Sequence, residues 1–402
     1  MDFAKKRSKI KIDINLWRDY YIIPTIFMIC IIGIVTAGSA IQTRSFLDNQ
    51  NFSDEFFKQI LSGFILGLCL AFGIYSVGME RIFKLKRVLL IISLFTLLYL
   101  ALPSLISFLT RVDLLTATNY FKALPIKPVI RNAAVRWLSI GPIQFQPVEL
   151  VKITILIYIA NYFKDINEAK ITWDYYKRAL YVFLITCFFI IIQPDLGSVV
   201  IITLMLLTSL FLLKLTFKQG GVILILLALF SVMAIAVTPY RRERFIGWIS
   251  NSKIQNIDAD YMQIQRVQDA IGKGGLFGVG YGKGTIKQSI PEVSSDAVLA
   301  VLGEEFGFVM IFVLIILYTI AFYYCINMSY KVKDYRRKII LIGIGSWIFY
   351  QSMWNIAGVV GLIPLKGLPL PFISEGGTSV AVSMLGIGLV ITALKGERIV
   401  RV

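Results

Sequence analysis

"IIPTIFMICIIGIVTAGSAI", residues 22–41, runs for twenty residues without a charge. About 20 predominantly apolar residues is the length a helix needs to cross a bilayer's hydrocarbon core. The stretch before it carries Lys5, Lys6, Arg7, Lys9, Lys11 and Arg18. The apolar core of a cleaved signal is only about 7–15 residues long, so 22–41 reads as an anchor that stays in the membrane. Backbone polar groups in lipid must pair within their own segment, which makes such a run a helix.

Nine further runs follow, and the ten spans read as roughly 22–42, 57–77, 87–107, 147–163, 179–193, 196–213, 220–238, 297–327, 339–361 and 373–394. The eighth is overlong and is expected to begin outside the hydrocarbon. An even number of spans puts both termini on one side. That side holds 24 of the 41 Lys and Arg residues and the other side 15, with Lys58 and Lys152 inside spans. Short cytoplasmic loops carry the basic excess, so both termini are expected in the cytoplasm. The expected fold is an all-α integral membrane protein in one polytopic domain over 1–402. It has cytoplasmic tails at 1–21 and 395–402, and external loops at 108–146 and at 239–296, between helices 7 and 8.

Composition agrees. Hydrophobic residues make up 57% of the chain, against about 45–50% in ordinary globular domains. The net charge of +17 is spread between spans rather than massed in one basic domain, which favours anionic lipid over nucleic acid as the partner. There is no histidine, so acid–base chemistry must fall on Asp, Glu, Lys or Tyr. Cys30, Cys69, Cys187 and Cys325 lie inside apolar runs without a CxxC spacing and read as small hydrophobes.

The chemistry-bearing motifs gather at the external ends of spans. "QFQPVELVK" (144–152) starts the fourth span with Pro147 suited to a first helical turn. Glu149 and Lys152 stand three apart and can pair on one face; alternatively Lys152, a turn inside the membrane, aims a cation at a ligand. "QPDLGS" (193–198) joins spans 5 and 6, with Asp195 also readable as a helix cap. "GLIPLKGLPLPFISEGGTS" (361–379) is too rich in Gly and Pro for a regular helix. Irregular backbone at this depth must be packed in protein or line a cavity, and its N–H groups suit phosphate oxygens; Lys366 and Ser374 lie in it. "AIGKGGLFGVGYGKGTIKQSIPE" (270–292) has seven glycines interleaved with Lys273, Lys283 and Lys287. It is either a plain flexible loop or one that wraps a pyrophosphate; the strand and helix of a dinucleotide fold are missing around it. After it, "SSDAVLAVLGEEFGF" (294–308) places Asp296 at the membrane boundary. Glu304 and Glu305 fall about 12–14 Å further along a helix, too deep to share its site, and are expected to pack against polar groups between helices.

Taken in order, "RWLSIGPIQFQPVELVK", "QPDLGS", "AIGKGGLFGVGYGKGTIKQSIPE…SD…GEEFGF" and "PLPFISEGGTS" resemble the SEDS family (FtsW, RodA, SpoVE) over about 22–395. "IPLKG" and "GKGTIKQSIPE" resemble FtsW, its division branch, more than RodA, its elongation branch. The resemblance implies a peptidoglycan glycosyltransferase of the cytoplasmic membrane that polymerises lipid II at its outer face. It also implies a class B penicillin-binding transpeptidase as partner, with other divisome or elongasome membrane proteins. A divalent cation, Mg or Mn, is implied by the same token, and no organic cofactor. The family's acid falls on Asp296, its lysine on Lys152 beside Glu149, its Arg-Trp pair on Arg136 and Trp137, and its Q-P-D on Gln193, Pro194 and Asp195. Lys283, Lys287, Lys366 and Ser374 complete the expected substrate site. The chain departs from the pattern at Ser294, Ser295 and Ala297, and at Glu375, where Tyr is usual. These departures bear on activity rather than fold. An elongation polymerase, a lipid-precursor flippase or transporter, and a non-catalytic division scaffold remain alternative readings.

Overall fold

A computed structural model describes residues 21–47, 51–131, 134–141, 143–163, 173–212, 220–221, 225, 258–291, 293–363 and 367–395. Lys366, both tails and almost all of the seventh expected span lie outside the described residues, as does the start of the loop that follows it.

The chain is mostly helical. Helix α1 is Ile22–Leu47. Then α2 (Phe52–Gln59), a π-helical turn (Ile60–Ile65) and α3 (Leu66–Val77) form one rod. Short α4 (Met79–Lys84) leads into α5 (Lys86–Thr110), and α6 (Leu114–Asn119) follows. After a small sheet come α7 (Pro147–Ala160), α8 (Trp173–Ile192) and α9 (Leu196–Phe211). Then come α10 (Asp258–Gly274), α11 (Val298–Lys331), α12 (Tyr335–Val359) and α13 (Gly377–Leu394). Among the described residues, six helical stretches are long and apolar enough to cross a membrane: α1, the α2–α3 rod, α5, α11, α12 and α13. Spans 4 to 6 of the sequence reading appear as α7, α8 and α9.

Helices α12 and α13 form the middle of the bundle, with most of their residues buried. α11 packs on α12 and α1, and α9 and α7 on α12. The α2–α3 rod is peripheral and mostly exposed, as a lipid-facing helix should be, and it touches the bundle chiefly through α13. That contact is close because its positions are small: a Cβ on Gly67 would stand 2.8 Å from Met384 Cβ, and one on Gly388 2.6 Å from Ala71 Cα. In lipid, helix association rests on such close van der Waals packing.

Two segments expected to be external differ from plain loops. Residues 108–146 contain α6 and a three-stranded antiparallel sheet, β1 (Ile126–Arg131), β2 (Ala134–Ile140) and β3 (Ile143–Phe145). Val129 pairs with Trp137 and Leu138 with Phe145, with a bulge between Val129 and Ile130. Val135 and Leu138 of β2 pack with Leu100 of α5, which fixes the sheet on the bundle. Residues 258–274 form α10, which packs on α11.

The overlong eighth span is α11, and it is broken at Gly307 (φ 77°, ψ −178°). The glycine-rich stretch explains the break. Val279 and Gly280 donate to the Glu304 and Glu305 carbonyls, and Phe308 and Val309 to those of Gly275 and Leu276. These are the carbonyls and N–H groups that the interrupted helix leaves unpaired. The glycines therefore serve close backbone approach: a Cβ on Gly278 would fall 2.1 Å from the Glu305 oxygen.

Candidate active site

The segment between α12 and α13 is held by its carbonyls. Asn355 Nδ2 donates to Leu368 O, Gln351 Nε2 to Pro369 O and the Tyr318 hydroxyl to Pro371 O, at 2.8, 2.8 and 2.6 Å. Ser374 Oγ accepts from Leu370 N. Residues 368–374 are buried, so these bonds settle the polar groups that irregular backbone would otherwise leave unpaired at the cost of several kcal/mol each, on the order given for lipid.

Asn355 makes a second bond, to the Asp296 carbonyl at 3.0 Å. Asp296 is half-buried just before α11, whose N-cap is Ala297. Its carboxylate faces Gly367, where a Cβ would stand 2.8 Å from Oδ2. The expected acid is thus fixed from α12 and pressed against the segment between α12 and α13.

One turn along α12 from Asn355, Gln351 receives Lys152. The Lys152 Nζ lies 2.6 Å from Gln351 Oε1 and 2.7 Å from Glu149 Oε1, and it sits over the Trp347 ring at 5.3 Å. Lys152 and Glu149 have no exposed side-chain surface, and Glu149 Oε2 has no hydrogen-bond partner. The pair and Asp296 are two ends of one polar seam along α12.

Other expected residues occupy supporting positions. Arg136 and Trp137 are neighbours in β2, so they point to opposite faces. Arg136 donates to the Gln193 and Pro194 carbonyls. Gln193 in turn donates to the Leu97 carbonyl of α5. Asp195 caps α9, accepting from Ser198 N and Oγ at 3.1 and 2.6 Å. Lys283 is exposed. Lys287 is buried, with Nζ 2.6 Å from both Glu305 Oε1 and Ser39 Oγ. Glu304 accepts the N–H groups of Thr285, Ile286 and Lys287 at 2.7–2.9 Å and pairs with Lys273 at 3.6 Å. In this part of the glycine loop, an internal carboxylate fills the place where an anion would be wrapped.

A cavity of about 1230 Å³ opens where α1 ends and α13 begins. Trp137, Arg44, Lys58, Lys287, Glu375 and Ser295 are among its polar and aromatic walls, and Leu66, Leu70, Ala381 and Val382 form an apolar wall between α3 and α13. Ser294 and Ser295 line it, and Asp296 follows them in sequence with its carboxylate turned to Gly367. Sequence reasoning missed Arg44, Gln59, Gln351 and Asn355. Gln351 and Asn355 carried a readable signal: two amides four apart in an apolar helix share a face and need partners there.

Among the described residues, no three His, Cys, Asp or Glu side chains converge on a metal position. The described residues do not make a protein cage for a divalent cation. Mg-type ions commonly take only one or two carboxylates plus substrate phosphates, a mode that needs no such cage.

The profile of the FtsW/RodA/SpoVE cell cycle proteins matches residues 20–399. The chain belongs to this family. It is 31% identical over 268 residues to a protein of Taylorella equigenitalis named "Probable peptidoglycan glycosyltransferase FtsW", covering 65% of this chain and 72% of the relative. A protein of the same name from Wigglesworthia glossinidia brevipalpis is 29% identical over 90% of this chain and 89% of its own. Among solved structures, a chain of a peptidoglycan synthase complex coordinating polymerization and crosslinking superposes with TM-score 0.73 and 25% identity, over 94% of this chain and 98% of that one. The rod shape determining protein RodA of Thermus thermophilus gives 0.64 at 24% identity, over 95% and 97%, and supports the fold of the FtsW/RodA/SpoVE family.

Proposed function

We infer that this membrane protein is an FtsW-type peptidoglycan glycosyltransferase that polymerises lipid II during cell division. The observation that carries the reading is the cavity lined by Ser295, next to Asp296 in sequence, whose walls include the cationic Arg44, Lys58 and Lys287 and the apolar Leu66, Leu70, Ala381 and Val382. A substrate with an anionic pyrophosphate and a polyprenyl tail needs both. The names of the relatives support the same activity.

The basic asymmetry of the loops puts the N-terminus in the cytoplasm. The cavity, at the far end of α1, then faces outward from the cytoplasmic membrane. The external loops are those over 108–146 and 239–296 in one polytopic domain.

Chain extension joins a sugar 4-hydroxyl to C1 of a second sugar and breaks the bond from C1 to the pyrophosphate oxygen. Asp296 takes the hydroxyl proton as the new bond forms. The electron pair of the broken bond leaves with the pyrophosphate, and cationic groups in the cavity stabilise its charge. Lys152, held by Glu149 and Gln351, sets the positive end of the polar seam. Trp137 offers the sugar a flat apolar face. A divalent cation, where one is bound through the substrate's phosphates, would supply further charge stabilisation there. The partner is a class B penicillin-binding transpeptidase, in keeping with the synthase complex that this chain resembles.

Purified protein supplied with lipid II tests the reading. Glycan polymer is the expected product. Translocation of lipid II across vesicles without polymer would instead mean a flippase, and neither outcome would leave a scaffold.

A further inference from the structure

Glu375 is held more firmly than a loop residue needs to be. Its N–H donates to the Ser294 carbonyl at 2.7 Å. The Gln59 side chain brackets it, with Nε2 donating to the Ser374 carbonyl and Oε1 accepting from Gly376 N. The backbone of residue 375 is thus pinned from α2 and from the segment that leads to Asp296. Its carboxylate enters the cavity and meets Arg44 of α1 at 3.0 Å, across 331 residues of sequence. Glu375 Oε2 is buried without a hydrogen-bond partner.

Stability does not account for this arrangement. The Arg44 side chain is 48% exposed, and ion pairs of that kind contribute little to folding. The pair lies on the wall of the cavity, and Ser294, whose carbonyl accepts from Glu375 N, stands two residues before Asp296. An arginine fork matches phosphate oxygens as well as it matches a carboxylate, and a pyrophosphate brings more charge than one carboxylate.

We propose that Glu375 is a specificity-determining residue: an internal anion that holds the Arg44 guanidinium until the pyrophosphate group of the substrate displaces it. This rests on the glycosyltransferase reading for the identity of the substrate but not for the anion exchange itself. The carboxylate raises the threshold for anions. A singly charged lipid head group competes poorly for Arg44, whereas a pyrophosphate competes well. The released Glu375 carboxylate remains at the N-terminus of α13, where the helix dipole favours a negative charge.

The test uses full-length protein in detergent, with inorganic pyrophosphate titrated calorimetrically and KM and kcat for lipid II measured in parallel. Glu375→Gln keeps the shape and removes the competitor. It should tighten pyrophosphate about two- to five-fold, the range in which exposed ion pairs act, and lower KM by a similar factor while kcat holds. Glu375→Asp, which keeps the charge but withdraws it, should fall between. Arg44→Gln should weaken pyrophosphate binding, and adding Glu375→Gln to it should change nothing further. An equal tightening in the Arg44→Gln background would reveal a general charge effect and overturn the proposal, as would an unchanged affinity in Glu375→Gln. If the parent protein makes no polymer yet pyrophosphate shows the Arg44-dependent pattern, the glycosyltransferase reading fails and the exchange stands.

Discussion

The Lys152 ammonium lies 2.7 Å from Glu149 Oε1, and neither side chain reaches solvent. Removing one partner of a buried pair leaves the other charge uncompensated, which costs about 3–5 kcal/mol. Lys152→Met should therefore both destabilise the protein and lose lipid II polymerisation. Adding Glu149→Gln removes the stranded charge and should restore most of the melting temperature in detergent. Activity should stay lost, because the cation is still missing. Polymerisation returning in the double variant would mean that the pair only holds α7 to α12.

The glycine loop predicts two unequal substitutions. Gly282 has φ 73° and open space around it, so Gly282→Ala meets only the left-handed backbone penalty of about 1–2 kcal/mol. Gly278 has φ 80° and would place its Cβ 2.1 Å from the Glu305 carbonyl oxygen. Gly278→Ala must push the loop away from the Gly307 break and give up the bonds to α11. Thermal melts should show a much larger loss for Gly278→Ala. Equal losses would contradict the account of the break.

Membrane topology follows from the loop charges. In a background with Cys30, Cys69, Cys187 and Cys325 replaced, Lys283→Cys should react with an impermeant maleimide in intact spheroplasts. Arg398→Cys should react only after lysis. The reverse pattern would invert the topology and place the cavity on the cytoplasmic side.

The helices that stand at nine of the ten expected spans among the described residues were legible because lipid makes length and apolarity sufficient evidence for a helix. The cap at Asp195 was legible because its partner, Ser198, is three residues away. The irregular backbone before α13 was readable from its prolines and glycines, but its anchors were not, since Gln351, Asn355 and Tyr318 belong to other helices. The sheet over 126–145 was hidden for a related reason. Its strands are three to seven residues long, too short for a period to stand out, and they are fixed by pairing and by packing against α5. The Arg44–Glu375 contact joins opposite ends of the sequence, and no local pattern announces it. The glycine loop could be read as an anion wrap because a run of backbone N–H groups does attract an anion. Here the Glu304 side chain supplies one, and the sequence alone does not pair residue 304 with residues 285–287.

Asp296 carries the most specific expectation. Its carbonyl is held by Asn355 and its carboxylate lies against Gly367, so its position is set by α12 and the segment before α13 together. It could also have been read as the cap of the eighth span, but α11 has Ala297 at its N-cap, which puts Asp296 one residue outside the usual capping position. Asn caps a helix about as well as Asp, so Asp296→Asn should leave the melting temperature close to the parent's on either account. Asn cannot take a proton, and a positioned general base contributes about 10²–10⁴-fold in rate. The expected result is a folded protein whose kcat for lipid II falls by that order while its KM changes little. Asn355→Ala provides the companion measurement. It leaves the carboxylate in place but frees the Asp296 backbone, and it should lower kcat by a smaller factor. Near-parent polymerisation by folded Asp296→Asn would remove the carboxylate from the chemistry and move the search for the base to Glu55, which lines the cavity.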